Sequence, residues 1–177
     1  SEDCQSTLRC LKTLGLGIRQ SEREVEIQSE GWKRFQKPKE LLDAGNSGTT
    51  VRLLSALLSA SPFVSTIQGD DSLNRRPMER IIRPLTQMGA RIEAVQDEYP
   101  PLRITGSQLR GIHYRLPMAS AQVKSCVLLA GLMAQGLPPG LAACCGCIGV
   151  RSQEAGVRMQ PEGFACVSFC GARSLRS

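Results

Sequence analysis

SGTTVRLLSALLSA, residues 47–60, decides the fold, because it returns as SAQVKSCVLLAGLM at residues 120–133, an offset of 73. In both stretches small and hydroxyl residues feed an apolar run of helical period. Two further segments repeat in the same order. LKTLGLGI (11–18) matches LTQMGARI (85–92) at an offset of 74, and VEIQSEG (25–31) matches LRITGSQ (102–108) at 77. Each copy reads helix, glycine, strand, strand, loop, then a small-residue turn opening an apolar helix. A recurring supersecondary unit is therefore expected, with the two apolar helices in equivalent positions.

Working outward, residues 1–14 read as a helix that Gly15 stops, with Cys4, Leu8 and Leu11 on its apolar face beside Thr7 and Leu14. LGIRQ and REVEIQS alternate as short strands, with Val25 and Ile27 facing one way, and residues 33–40 form a polar loop. PFVSTIQG reads as a strand and GDDSLNRR as a turn-rich loop. PMERIIRPLTQMG reads as a helix with Pro77 in its first turn and Gly89 at its end; Pro84 should kink or divide it. RIEAV, LRITG and HYRL are expected strands.

Composition sets outer bounds. The 177 residues are 41% hydrophobic, 21% charged and only 4% aromatic, with a formal net charge of +6. Scarce aromatics argue against a single-strand nucleic-acid platform, which needs stacking faces. The basic excess is interspersed with acids, so a solvated surface is expected rather than a nucleic-acid or membrane face. No stretch reaches a membrane-span length, and SEDCQSTLRC lacks the basic start and apolar run of a signal peptide. The first helix begins at once, as though inside a longer unit.

After Gly136 the periodicity fades. Residues 137–177 form a Cys/Gly/Arg-rich tail holding Cys144, Cys145, Cys147, Cys166 and Cys170, five of the eight cysteines. The expectation is a frameshifted, unusually spliced or disordered extension to a domain at 1–136. Its CCxC and CxxxC spacings are not the paired C-x₂-C of a zinc site, so no metal is expected.

Three turns carry the chemistry. Asn46-Ser47-Gly48-Thr49-Thr50 opens a helix whose free N–H groups carry about half a positive charge. Gly48 allows close approach, the threonines add donors and Arg52 adds a cation. Helix capping and anion binding both fit, although the GxxxxGK[ST] pattern is absent. Gly69 to Pro77 places Arg75 and Arg76 before the next helix, where guanidinium forks suit planar oxyanions or pair with Asp70 and Asp71. Met118 to Lys124 repeats the first design, with Ser120 as cap, Gln122 able to donate and accept, and Lys124 unfavourable at a helix start without an anion nearby. The lone histidine, His113, reads as structural on a strand face, and no Ser-His-Asp or Cys-His pairing emerges.

The stretches DAGNSGTTVRLL, GDDSLNRRPMERIIRPLTQMGA and PMASAQVKSCVLLAGL resemble the N-terminal domain of 5-enolpyruvylshikimate-3-phosphate synthases over about residues 1–136. The related UDP-N-acetylglucosamine enolpyruvyl transferases fit these motifs less well. The resemblance implies an α/β (α+β) fold of repeated βαβαββ units, here an incomplete domain of about two repeats. It implies transfer of the enolpyruvyl group of phosphoenolpyruvate to shikimate 3-phosphate with release of phosphate, without a cofactor. By resemblance, Gly48, Arg76 and Gln122 border phosphoenolpyruvate, and Ser120, Ala121 and Gln122 hold shikimate 3-phosphate. Gly48 matches glyphosate-sensitive members. The family's leading strand, its second domain and its acid/base groups find no counterpart in the 177 residues, so no catalytic residue is assigned. A chain inactive alone is expected, or a non-catalytic binding fragment that self-associates through exposed apolar surface. The expected location is the cytoplasm, or a plastid in a plant or alga.

Overall fold

A computed structural model describes residues 1–21, 24–135, 156–159 and 164–168. Helix α1 (Glu2–Thr13) leads into the antiparallel hairpin β1 (Gly17–Gln20) and β2 (Val25–Gln28), and β3 (Leu42–Asp43) follows. Helix α2 (Gly48–Ser59) then crosses to β4 (Val64–Gln68), which pairs parallel with β3. Helix α3 (Glu79–Gln87), β5 (Arg91–Val95), β6 (Tyr99–Thr105), β7 (His113–Arg115) and α4 (Ala121–Met133) complete the second copy. The strands β3-β4-β6-β5 form one sheet, parallel at β3–β4 and antiparallel elsewhere.

The internal repeat is visible in hydrogen bonds. At the end of α1, Leu16 N–H donates to Leu11 C=O and Gly15 N–H to Lys12 C=O; at the end of α3, Ala90 N–H donates to Leu85 C=O and Gly89 N–H to Thr86 C=O. Both are the same C-terminal cap, and it needs a left-handed residue. Gly15 (φ +90°) and Gly89 (φ +107°) supply it. The two apolar helices match at their starts as well. Ser47 Oγ accepts from Thr50 N–H at 3.1 Å, and Ser120 Oγ accepts from Val123 N–H at 3.4 Å.

The core gathers Leu14 of α1's C-terminus, Val51, Leu54 and Leu58 of α2, Ile67 of β4, Ile81 and Leu85 of α3, Leu102 and Ile104 of β6, and Val123 and Val127 of α4. Helices α2 and α4 pack side by side. Residues 102 and 104 are buried and 101 and 103 exposed, the alternation of a sheet with one face on the core.

Several sequence expectations shift. The buried residues of α1 are Ser6 and Cys10, leading to Leu14, while Cys4 is exposed. The helix turns Cys10 toward β3, where its thiol donates to Asp43 C=O. Pro77 lies outside α3, which begins at Glu79 after Met78. Pro84 does not divide that helix. Its ring sits on the buried face with Ile81 and Leu85, so packing offsets the hydrogen bond it cannot donate. The two-residue strand β3 is too short to leave a period in the sequence. Val25 and Ile27 share a hairpin face as expected, yet both stay nearly half exposed.

Most of the 137–177 reading, including its zinc and disorder elements, falls outside the described residues. The described parts are β8 (Gly156–Met159) and β9 (Phe164–Ser168), which pair antiparallel with each other and, through β9, with β7.

The Ser47 cap gives a first prediction. Ser47 is 1% exposed, and its Oγ also accepts from Thr50 Oγ1 at 2.8 Å. Ser47→Ala should cost about 1–2 kcal/mol and lower Tm by about 2–8 °C. Ser120→Ala should cost less, because its cap bond is longer. Thermal unfolding of both variants decides the order.

Candidate functional site

The first turns of α2 and α4 lie against each other. Thr49 and Gln122 are the second residues of the two helices, related by the same offset of 73, and they touch: Gln122 Nε2 donates to Thr49 Oγ1 at 2.8 Å. Arg52, one turn further along α2, folds back and donates from Nη1 to Gln122 Oε1 at 2.7 Å. The repeat thus brings two helix N-termini together with a guanidinium between them.

Arg76 enters from the loop before α3. Its Nη2 donates to Asn46 Oδ1 at 2.6 Å, and Asn46 Nδ2 donates to Asp70 Oδ2 at 2.8 Å. Asp70 also caps the short 3₁₀ turn Leu73–Arg75 by accepting from Leu73 N–H at 2.8 Å. The sequence left open whether Arg76 pairs directly with Asp70 or Asp71. Asn46 stands between instead, so Arg76 is aimed without being neutralised. The Asp70 carboxyl is held below the usual range, first by the Asn46 hydrogen bond and then by the Leu73 N–H.

The charge balance is one-sided. The ion pairs among the described residues are Arg19–Glu26, Arg34–Glu30 and Arg103–Glu93, none of them at these turns. Neither α2 nor α4 carries an acid in its first turn, whereas α1 carries Glu2 and Asp3 and α3 carries Glu79. Acids stabilise helix N-termini, and with none in the first turns of these two the nearby acids are Asp70, held through Asn46, and Glu2 and Asp3 beside Asn46-Ser47. Burial lowers the pKa of Arg52, and the neighbouring Arg76 and Arg80 lower it further. Such a cluster is favourable once an anion joins it.

Gly48 is buried at this junction. A Cβ there would stand 2.8 Å from Arg52 Nη1 and 3.7 Å from Arg76 Nη1. Gly48 thus lies beside Arg76 and, through Arg52, beside Gln122, while Ser120 is the N-cap and Ala121 the first residue of the helix that carries Gln122. Ala121 is exposed and makes no side-chain hydrogen bond. Asn46, Thr49 and Arg52, read from sequence as parts of a capping or anion-binding turn, act here through specific partners: Asn46 on Arg76, Thr49 and Arg52 on Gln122. The repeat offset pairs Thr49 with Gln122, and Arg52 stands four residues from Gly48 on one helix face, so both relations were available.

Two cavities are less suited to an anion. One of about 620 Å³ opens between Gly15 and residues 28–36, where Arg34 is already paired with Glu30 at 2.7 Å. Another of about 280 Å³, between the start of α1 and Asn46-Ser47, is walled by Glu2 and Asp3. No cluster of metal-ligating side chains occurs among the described residues, and no described helix is long and apolar enough to cross a membrane.

Paired helix N-termini and nearby arginines on an α/β scaffold give this chain its class, and comparison with known proteins gives its family. A sequence profile of EPSP synthase (3-phosphoshikimate 1-carboxyvinyltransferase) matches residues 1–141, and the chain belongs to that family. It is 52% identical over 134 residues to the 3-phosphoshikimate 1-carboxyvinyltransferase of Solibacter usitatus, covering 76% of this chain and 32% of the relative. It is 51% identical over 137 residues to that of Bacillus cytotoxicus, covering 77% and 32%. The solved EPSP synthase of Acinetobacter baumannii superposes with a TM-score of 0.79 at 39% identity, over 97% of this chain and 41% of that one. The chain thus spans about a third of the length of these curated relatives.

Proposed function

We propose that this chain supplies one wall of a site that transfers the enolpyruvyl group of phosphoenolpyruvate to shikimate 3-phosphate and releases phosphate. The observation that carries the reading is that Gly48 lies beside Arg76 and, through Arg52, beside Gln122, at two capped helix starts with no acid in their first turns, in a chain of the EPSP synthase family. Phosphoenolpyruvate carries a phosphate and a carboxylate. Arg76 and the α2 N-terminus offer a fork and free N–H donors to one such group, and the Ser120-Ala121-Gln122 turn would hold the shikimate 3-phosphate.

Enolpyruvyl transfer also needs a proton delivered to the methylene carbon, and stabilisation of the charge that develops as phosphate leaves. Of the acids described near these turns, Asp70 is held ionised by Asn46 and the Leu73 N–H, and Glu2 and Asp3 line a separate cavity beside Asn46-Ser47. The 177-residue chain should therefore bind without turning over. Calorimetric titration with shikimate 3-phosphate, followed by a phosphate-release assay with phosphoenolpyruvate added, tests this. The expected result is measurable binding and no release above background. Absence of any binding removes the substrate reading. Release at enzymatic rates would mean that this chain already contains the acid.

The same reading includes self-association. Leu132 of α4 and Met118 just before it are 48% and 58% exposed, and exposed apolar side chains of this size favour association.

A further inference from the structure

Gly48 bears no left-handed φ, so conformational need does not explain a glycine there. Space does. Arg52 is four residues on, and long helical side chains lean toward the N-terminus, which lays its guanidinium over residue 48. The Cβ of any other residue would meet Nη1 at 2.8 Å and Cζ at 3.7 Å. That same Nη1 is 2.7 Å from Gln122 Oε1.

A guanidinium only donates, whereas a glutamine amide offers an acceptor at one end and donors at the other. With Arg52 in place the acceptor end of Gln122 must face it. Nε2 then donates to Thr49 Oγ1, and its second N–H has no partner among the described residues. Without Arg52 the amide can rotate, and half its orientations turn an oxygen toward an approaching anion.

We propose that Arg52 is a positioning residue: packed over Gly48 and bonded to Gln122, it fixes the amide orientation of Gln122, so that Gly48 acts on Gln122 through it. The functional consequence rests on the phosphoenolpyruvate reading of the site; the geometry does not. The contact blocked at Gly48 is the far end of a flexible side chain, so Gly48→Ala should fold normally while displacing the guanidinium.

The test uses the 177-residue chain labelled with ¹⁵N. The side-chain amide signals of Gln122 are recorded without ligand in the wild type, Gly48→Ala, Arg52→Met, Arg52→Lys and the Gly48→Ala/Arg52→Met double variant. Calorimetry with phosphoenolpyruvate in the presence of shikimate 3-phosphate follows. Arg52→Met should shift the Gln122 side-chain signals, increase their mobility and weaken phosphoenolpyruvate about tenfold, the scale of one charge-assisted hydrogen bond. Arg52→Lys should recover part of both effects. Gly48→Ala should shift the same signals in the wild-type background and add nothing in the Arg52→Met background. Unchanged Gln122 signals in Arg52→Met, or additive effects of the two substitutions, would overturn the proposal. If Arg52→Met fails to fold, Gly48→Ala alone decides: undisturbed Gln122 signals refute the coupling. Coupled signals in a chain that binds no phosphoenolpyruvate would support the positioning role and reject the ligand.

Discussion

Gly106→Ala should lower Tm by about 8–16 °C, a loss of about 4 kcal/mol. Gly106 directly follows strand β6 (Tyr99–Thr105), where the chain passes over the C-terminus of α2. A Cβ at 106 would collide with Ser61 O and stand 2.7 Å from Leu58 O. Both obstacles are backbone carbonyls, and neither can rotate away. Relief requires moving the end of β6 off the helix, and the hydrogen bonds Gly106 N–H to Phe63 O (3.2 Å) and Ser107 N–H to Ser59 O (2.9 Å) would go with it. Two such bonds contribute about 1 kcal/mol each, and overpacking adds about 1–3 kcal/mol. That is a large share of the roughly 5–15 kcal/mol that holds a domain together. Gly17→Ala is the control: its Cβ meets Gln28 Cβ at an ordinary 3.5 Å, and the change should stay within about 0.5 kcal/mol. Equal effects at 17 and 106, measured by denaturant titration, would show that the close approach of β6 to α2 is absent.

The contrast between those two glycines shows what a sequence discloses. Gly15 and Gly89 were legible because each ends an apolar helical run, and a helix end calls for a left-handed residue. The repeat was legible for the same reason, since caps and periods are local. Gly106 was silent because its role depends on Ser61, forty-five residues away in the chain. The buried face of α1 was misplaced because its apolar residues are few, and burial there follows tertiary contact with β3 and α2 rather than period alone. Ser6 and Thr7 show the point: Thr7 Oγ1 lies 2.7 Å from Thr50 Oγ1, a bond between polar residues that no hydrophobic pattern flags. At the candidate site the residue types were legible and their connections were not. Arginines, hydroxyls and a glycine before helices suggest an anion. That Asn46 insulates Arg76 from Asp70, and that Arg52 bridges to Gln122, are facts of side-chain geometry.

Arg76→Ala should weaken phosphoenolpyruvate binding about a hundredfold, in the presence of shikimate 3-phosphate, while leaving Tm within about 2 °C. Stability should hardly move because Arg76 forms no ion pair among the described residues, and its Asn46 contacts are near solvent. Its removal also relieves repulsion on Arg52, whose charge Arg76 and Arg80 oppose. Binding should move strongly because a bidentate guanidinium contact to an anion supplies about 3 kcal/mol. Arg76→Lys keeps the charge but loses the planar fork, so about a tenfold loss is expected. The two variants separate two accounts of the same positive potential. If the site works by net charge alone, lysine restores wild-type affinity, and raising the salt erases the difference between wild type and alanine. If it works by a fork held by Asn46, lysine stays deficient and Asn46→Ala reproduces part of the loss, because Arg76 is then no longer aimed. Calorimetry at two ionic strengths distinguishes them. Undiminished affinity in Arg76→Ala would remove Arg76 from the site, and with it the strongest physical reason for placing an anion between the α2 N-terminus and the loop before α3.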